Sequence, residues 1–489
     1  MGERKYLKWY NKVGYGSGDI AGNVVYAFLS SFLMIFLTDT IGMNAGIVGT
    51  LMMVSKLFDG VTDVFFGSLI DKTKSRMGKA RPWMLWAYLG CSAMIAALFF
   101  IPANLGDAGQ YAWFFIAYTL LNAVFYTANN IAYSALTALV TKNGSERVQM
   151  GSIRFIFAFG TSLLIQTITV DAVKALGGGA AGWRTMAIIY GAIGLIVNTI
   201  SVFSVKELPE EELNESESAL RVEGEENSCR EWEADGECAL EEPGWGEAGP
   251  GASVEAGGQE EKYGLRKAAK LLLSNKYYLI ICVMYILMQI FTATLNMGIY
   301  FMTYILGNAS LLGVFAWAIN IPLIAGLVFT PILVKRWKGM YKLNLMGYIL
   351  ATVSRGLVIV AGYLGNIPLM LLFSGIASLG MSPLQGDLNA LIAECSEYTY
   401  LTKGKRIDGT MYSCTSLGVK IGGGIGTAFA GWLLAASGYV ANAAAQSQSC
   451  INMLYVMYLW IPMVINLIIT ILLVRLKVEQ ANAALAGEE

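Results

Sequence analysis

Twelve long, mostly apolar runs dominate this chain, near residues 13–39, 44–70, 82–104, 110–140, 147–173, 181–205, 277–306, 309–334, 341–364, 367–396, 407–437 and 450–474. About 20 such residues suffice for a helix to cross the hydrocarbon core of a bilayer. Hydrocarbon offers no partner to a backbone N–H or C=O, so a spanning segment must satisfy its own, as a helix does. The runs therefore predict an all-α membrane protein of twelve transmembrane helices. Composition agrees: apolar residues make up 55% of the chain, charged residues 14%, and mean hydropathy is +0.54, outside the usual globular balance. The first run does not read as a cleaved signal peptide, because it is too long, carries Asp19 inside and lacks a small-residue cleavage pattern.

The basic residues give an orientation. Of the 34 Lys and Arg, 28 fall in segments that a twelve-span count places on the side of the N-terminus, and only Lys174 and Arg184 fall opposite. By the positive-inside rule both ends are expected in the cytoplasm, most simply of a bacterial inner membrane. The net charge of −1 conceals a split: residues 207–261 hold 19 acids against Arg221 and Arg230. A segment so acidic and so poor in apolar residues cannot offset its ordering entropy and is expected to stay disordered. This divides the chain into a six-helix bundle at 1–206, an acidic cytoplasmic loop at 207–262, a second six-helix bundle at 263–477 and a tail at 478–489. Residues 264–274 read as a short amphipathic helix on the inner face. Two six-helix bundles joined by a long loop is an architecture in which the halves rock about a central site.

Chemistry is constrained by what is missing and by what is buried. The chain has no histidine, which removes His-based general-base catalysis, metal ligation and proton relays. Its seven cysteines (91, 229, 238, 282, 395, 414 and 450) form no CxxC pair, so they read as small hydrophobes or incidental thiols. A charge at mid-bilayer costs at least about 2.5–3.5 kcal/mol, so each one needs a partner or a task. The first run places Tyr15, Asp19, Asn23 and Tyr26 on one stripe amid glycines 14, 16, 18 and 22. The second carries Lys56, Asp59, Thr62 and Asp63. Asp59 and Asp63 are i,i+4 neighbours and resist joint ionisation, so they share a proton, pair with a base or bind a cation. Oxygen donors alone suit a hard ion such as Na⁺. The fourth run adds Tyr126, Thr127, Asn130, Tyr133 and Ser134; the fifth begins near Arg154; the eleventh has Tyr412, Ser416 and Lys420, and Arg355 stands alone in the ninth. The competing reading makes Lys56, Asp59, Asp63 and Lys420 a purely structural ion-pair network.

The segments YGSGD at 15–19, DGVTDVFFGSLIDKTKSRMGKARPW at 59–83, ERVQMGSIRF at 146–155 and GKRIDGTMYSCTSLGVKIGGGIG at 404–426 resemble the melibiose permease-like glycoside–pentoside–hexuronide:cation symporters of the major facilitator superfamily. The resemblance covers all twelve runs and is weakest from 277 to 380. It implies the major facilitator fold and uptake of a sugar or glycoside driven by Na⁺ or H⁺. On the family pattern Asp59 and Asp63 are the cation carboxylates, with Thr62 and Thr127 beside them and both aspartates holding Na⁺ if coupling is to sodium. Asp19, Asn130 and Arg154 face the sugar, Lys420 links the two sites, and Asn23, Tyr26, Tyr126, Tyr133 and Ser416 complete the expected substrate surface. The chain departs from the pattern at Lys56 (usually arginine), Gly60 (alanine), Val64 (proline), and Glu394 and Glu397 (aspartates). Asn130-Ile131-Ala132-Tyr133 is similar to the NIPY element of pentoside and hexuronide members without its proline. A hexuronide (such as a glucuronide) or a pentoside is therefore expected ahead of a galactoside.

Two rivals follow from the same residues: a lysolipid or other amphiphile facilitator of the same superfamily, and a multi-span membrane enzyme. The second has no catalytic constellation to support it, with no histidine and no GxSxG. The expected partners are a small-molecule glycoside, the coupling cation and membrane lipid. No cofactor and no nucleic acid are expected, the bases lying in short clusters instead of a stripe, and the protein is expected to be a monomer.

Overall fold

The computed structural model describes residues 5–141, 143–209, 272, 274–337, 339–403, 408–443 and 445–486. Among them are twelve helices long and apolar enough to cross a membrane: α1 (Trp9–Ile41), α2 (Ala45–Ile70), α3 (Arg81–Phe99), α4 (Ala103–Thr137), α5 (Gln149–Ala175), α6 (Gly179–Ser204), α7 (Lys276–Tyr304), α8 (Leu311–Thr330), α9 (Met340–Tyr363), α10 (Ile367–Leu388), α11 (Gly418–Ala436) and α12 (Gln448–Leu485). The described residues contain no strand. This is an integral membrane protein with the major facilitator architecture expected above. The chain between residues 210 and 271, which holds nearly all of the acidic loop and most of the expected amphipathic helix, lies outside the described residues, as do the side chains of Tyr412 and Ser416.

Helices in lipid gain nothing by hiding apolar surface from one another, so close packing and polar contacts must hold them. In the first half, Phe28 of α1 stacks on Phe99 of α3 with ring centroids 4.7 Å apart, and Trp183 of α6 and Phe36 close the cluster. Such aromatic pairs contribute about 0.5–1.5 kcal/mol each beyond area burial. Towards the other end of α1 small residues set the spacing. A Cβ at Gly18 would stand 2.8 Å from the Tyr133 ring and 2.7 Å from Ser201 Oγ, so only glycine lets α1 sit this close to α4 and α6.

The halves meet along α2 with α11, α5 with α8, and α1 with α7. Trp432 Nε1 donates to Thr50 at 2.8 Å, Trp317 Nε1 to Thr167 at 2.9 Å, and Ser310 to Asp171 at 2.6 Å. A denser cluster forms around Asp39. Its carboxylate accepts the phenol hydroxyls of Tyr304, at 2.6 Å, and Tyr439, its carbonyl accepts the Asn442 amide, and the Thr38 and Tyr300 hydroxyls are 2.8 Å apart. These contacts lie towards the face opposite the termini. At the face carrying the termini, each half is also tied within itself.

Those ties extend past the expected boundaries. Glu207, counted with the acidic loop, accepts the backbone N–H groups of Lys79, Ala80 and Arg81 at 2.6–2.9 Å and so caps the start of α3. Residues counted as a tail form the helix Val478–Ala486, whose Glu479 accepts the N–H groups of Met340 and Tyr341 at 2.8–3.1 Å at the start of α9. Each half thus ends its sixth span with a glutamate that satisfies the orphan donors of its third. Glu146 plays a related part between α1 and α5. It accepts the Tyr6 and Leu7 N–H groups at 3.2 Å and the Thr141 hydroxyl at 2.8 Å, and pairs with Lys12 at 3.1 Å. Burial alone would raise its carboxyl, but the hydrogen bonds from Thr141, Leu7, Lys12 and Tyr6 outweigh burial and hold it below the usual glutamate range.

Candidate functional site

The intramembrane charges resolve into two clusters that share α4. In the first, Arg154 Nε of α5 donates to Asp19 Oδ2 of α1 at 2.6 Å, and the Tyr133 hydroxyl of α4 donates to the same oxygen at 3.0 Å. The guanidinium lies over the Tyr133 ring, Cζ 4.1 Å from its centroid, which adds a cation–π contact of about 0.5–2 kcal/mol. The Tyr15 hydroxyl donates to the Tyr133 carbonyl at 2.8 Å, and the Tyr133 hydroxyl also reaches the Tyr15 carbonyl at 2.9 Å. The pair is not sealed: the side chains of Asp19 and Arg154 keep 17% and 23% of their surface exposed. Asn23 turns inward on its own helix, donating to the Asp19 carbonyl at 2.9 Å.

The second cluster joins α2, α4 and α11. Lys420 binds the Asp63 carboxylate and lies 3.5 Å from Asp59 Oδ2, so one ammonium spans both acids. Thr127 donates to the other Asp59 oxygen. Its placement depends on a wide, π-helical stretch at Leu120–Tyr126, which leaves the Thr127 hydroxyl within 2.9 Å of the Asn122 carbonyl five residues back. Thr62 spends its hydroxyl proton on the Asp59 carbonyl at 3.1 Å, keeping its oxygen lone pairs. Two carboxylates with hydroxyl oxygens nearby fit a hard monovalent cation or a proton. The described residues contain no group of three or more His, Cys, Asp or Glu suited to a metal ion, so a divalent cage is not what this donor set forms.

Between the halves lies a cavity of about 100 Å³, lined on one wall by Tyr26, Lys56, Asn122 and Tyr126 and on the other by α7 and α11. Tyr26, 55% exposed, is part of that wall. Asn130 is exposed one turn beyond Tyr126 and makes no hydrogen bond among the described residues, leaving donor and acceptor available on the face that also carries Tyr133. The structure thus gathers Asp19, Tyr133 and Arg154, gathers Asp59, Asp63, Thr127 and Lys420, and puts Tyr26 and Tyr126 in the cavity wall. It does not join Lys56 to the acids: Lys56 Nζ donates to the Gly423 carbonyl at 3.2 Å and to Thr427 at 3.3 Å, both on α11.

The far wall was missed in the sequence. Gln289, Thr292 and Asn296 of α7 line the cavity, and their spacing of three and four residues is a polar stripe in an otherwise apolar helix. Neutral amides and hydroxyls raise no alarm of the kind a buried charge does, although the stripe itself was there to be read.

Comparison with known proteins places this geometry. The profile of the family described as MFS/sugar transport protein matches residues 14–230 and 248–480. An isoprimeverose transporter of Lactiplantibacillus pentosus is 26% identical over 466 residues, covering 94% of this chain and 87% of the relative. A putative glycoside/cation symporter of Escherichia coli (strain K12), YagG, is 26% identical over 486 residues, covering 97% and 93%. Among solved structures, a bacterial homologue of the human lysosomal transporter Spinster superposes with a TM-score of 0.62 at 14% identity over 100% of this chain and 99% of its own, a likeness of fold. The chain belongs to the MFS/sugar transport protein family, as one of its glycoside–pentoside–hexuronide:cation symporters.

Proposed function

We propose that this symporter imports a glycoside, a hexuronide or pentoside ahead of a galactoside, together with Na⁺ or H⁺, across a bacterial inner membrane in which both termini are cytoplasmic and the protein works as a monomer. The observation that carries this reading is the Lys420 ammonium shared by Asp59 and Asp63, next to a cavity walled by both halves. A cation entering between the two acids competes with Lys420 and frees it, so cation binding changes the charge that α11 presents towards the cavity. That is a differential interaction of the kind coupling requires. Substrate hydroxyls meet Asn130, Tyr26 and Tyr126, while Asp19, steered by Arg154 and Tyr133, offers its remaining acceptor positions. The hydrogen bonds of the Asp39 cluster, which join the halves at the face opposite the termini, fit a state open towards the termini. Alternating access then requires the Asp39 cluster to part as the face with the termini closes.

Thermal unfolding of the detergent-purified protein against a panel of glycosides, each in Na⁺ and in K⁺, tests the reading. A glycoside-dependent rise in Tm is expected, lost in Asp19→Ala. Stabilisation by a lysolipid and by no glycoside would replace it with the amphiphile facilitator. Orientation is checked separately: a cysteine at position 107 reacts with an impermeant reagent on intact cells, and one at 76 does not.

A further inference from the structure

Ser55 of α2 is fully buried, at 0% exposure, and its hydroxyl has no hydrogen-bond partner among the described residues. A serine inside a helix can return its proton to the carbonyl one turn back, as Thr50 of the same helix does to Gly46 at 2.8 Å. Ser55 does not, and an unmade hydrogen bond at a buried group costs stability. Val48, Met52, Ser55, Asp59, Thr62 and Phe66 fall on one stripe of α2. That stripe faces α4: Asp59 meets Thr127, Phe66 packs in one cluster with Ala128, and Met52 shares the cavity wall with Tyr118 and Asn122. Ser55 therefore stands at the level of the π-helical stretch Leu120–Tyr126, one turn before Asp59.

We infer that Ser55 is a positioning residue for the coupling cation and that this cation is Na⁺: as the ion displaces Lys420, the Asp59 carboxylate turns back along α2 and accepts the Ser55 hydroxyl. This rests on the cation-symport reading above and deepens it. In the structure Asp59 is held unevenly. One oxygen accepts the Thr127 hydroxyl, while the other lies 3.5 Å from a Lys420 ammonium that binds Asp63 more closely. Helical side chains lean towards the N-terminus, so a carboxylate at 59 reaches the turn that carries residue 55, its Cβ about 5–6 Å away. Na⁺ replaces the charge of the ammonium but donates no hydrogen bond. The oxygen that Lys420 leaves then lacks a donor, and Ser55 is the buried donor beside it with no acceptor of its own. The unmade bond is thus a cost of the Lys420-held arrangement that the Na⁺-bound one recovers, which is a differential interaction favouring the ion. Neither threonine can take this part. Thr62 gives its proton to the Asp59 carbonyl at 3.1 Å, and Thr127 already holds the opposite oxygen. A coupling proton would need no such donor, because a protonated carboxyl donates by itself.

The test is thermal unfolding of the full chain in detergent through a Na⁺ titration, with K⁺ holding the ionic strength constant. Wild type is expected to gain Tm saturably with Na⁺. Ser55→Ala removes the unpartnered hydroxyl, so its Tm in K⁺ alone equals or exceeds that of wild type. Its half-saturating Na⁺ concentration rises about ten-fold or more, the worth of one hydrogen bond to a charged group. Ser55→Cys keeps the volume and weakens the donor, so it separates the hydroxyl from packing and is expected to show the same rise. It also carries the test should Ser55→Ala not fold. A half-saturating Na⁺ concentration unchanged in these variants overturns the inference, whatever happens to Tm in K⁺. So does a wild type that gains no Tm from Na⁺. In either case a glycoside-dependent Tm shift leaves the glycoside reading standing, whereas its absence beside the expected Na⁺ titrations overturns that reading and leaves this inference in place.

Discussion

The two halves of this transporter share a fold but divide the work. The first half carries Asp19, Arg154, Asp59, Asp63 and Lys56, and its buried charges have partners or face the cavity. The second half sends one partnered charge to the site, Lys420, and otherwise offers the neutral wall of Gln289, Thr292 and Asn296. Of its own buried charges, Arg355 is 2% exposed, with its guanidinium over the Phe291 ring at 5.1 Å and no hydrogen-bond partner for Nε and Nη2 among the described residues, and Asp387 of α10 is 8% exposed. Unpartnered buried groups also gather there, including the Tyr348 hydroxyl, Ser396 Oγ and Asn466 Oδ1. The difference teaches that a charge in the membrane is not by itself a site. What distinguishes the first half is that its charges are paired across helices, as Asp19, Arg154, Asp59 and Asp63 are, or line the cavity, as Lys56 does.

The sharpest way to break this comparison is to remove the first half's acids. A monovalent cation moving inward through 100 mV releases about 2.3 kcal/mol, enough to concentrate a neutral co-substrate roughly fifty-fold. Asp59→Asn or Asp63→Asn is expected to abolish uphill accumulation, measured with radiolabelled glycoside in cells or vesicles, while part of the equilibrium binding survives. Either variant accumulating substrate as wild type does would move the coupling site elsewhere.

Arg355 supplies the converse experiment in the second half. Replacing a buried, imperfectly satisfied charge by an apolar residue of similar size is often neutral or stabilising by about 1–4 kcal/mol. Arg355→Met is therefore expected to keep transport and to hold or raise Tm in detergent. Loss of transport at normal folding would show that the second half contains a working charge besides Lys420 and that the division between halves is too simple.

These contrasts were unequally visible in the sequence. The twelve spans were legible because the lipid demands long apolar runs, and the charges Asp19, Asp59, Asp63, Arg154 and Lys420 because intramembrane charge is costly and therefore rare. The partners within those clusters were harder. The competing reading put Lys56 in one ion-pair network with Asp59, Asp63 and Lys420, but packing of α11 at Gly422–Gly424 brings the Gly423 carbonyl to Lys56 instead. The π-helical stretch that seats Thr127 arises from tertiary packing and leaves no period to read. Gln289, Thr292 and Asn296 carry no charge, so nothing in insertion cost marks them. Glu207 and Glu479 sit in segments whose composition reads as solvent-exposed, and only the distance to α3 and α9 in space makes them caps.

The smallest expected effect separates the halves at the face bearing the termini. The first half closes there on an ionised clamp, Glu146, and the second on a neutral one, Asn275, whose amide donates to the Cys395 carbonyl and Thr399 and accepts the Tyr277 and Tyr278 N–H groups. The folded-state carboxyl of Glu146 titrates below its ordinary range. Its stabilising contribution is therefore fully present above the unfolded pKa, near 4.3, and is lost as pH falls through the lower folded value. Glu146→Gln is expected to lower stability by about 1–3 kcal/mol at pH 7, and the gap to wild type should close progressively below about pH 4.3. Asn275→Ala should carry a similar penalty that does not change with pH. Thermal unfolding of both variants from pH 7 to pH 3 reads the two slopes directly. A Glu146→Gln gap that stays constant across that range would mean that the clamp works through shape and neutral hydrogen bonding, as Asn275 does, and that the two halves are closed at this face by the same means.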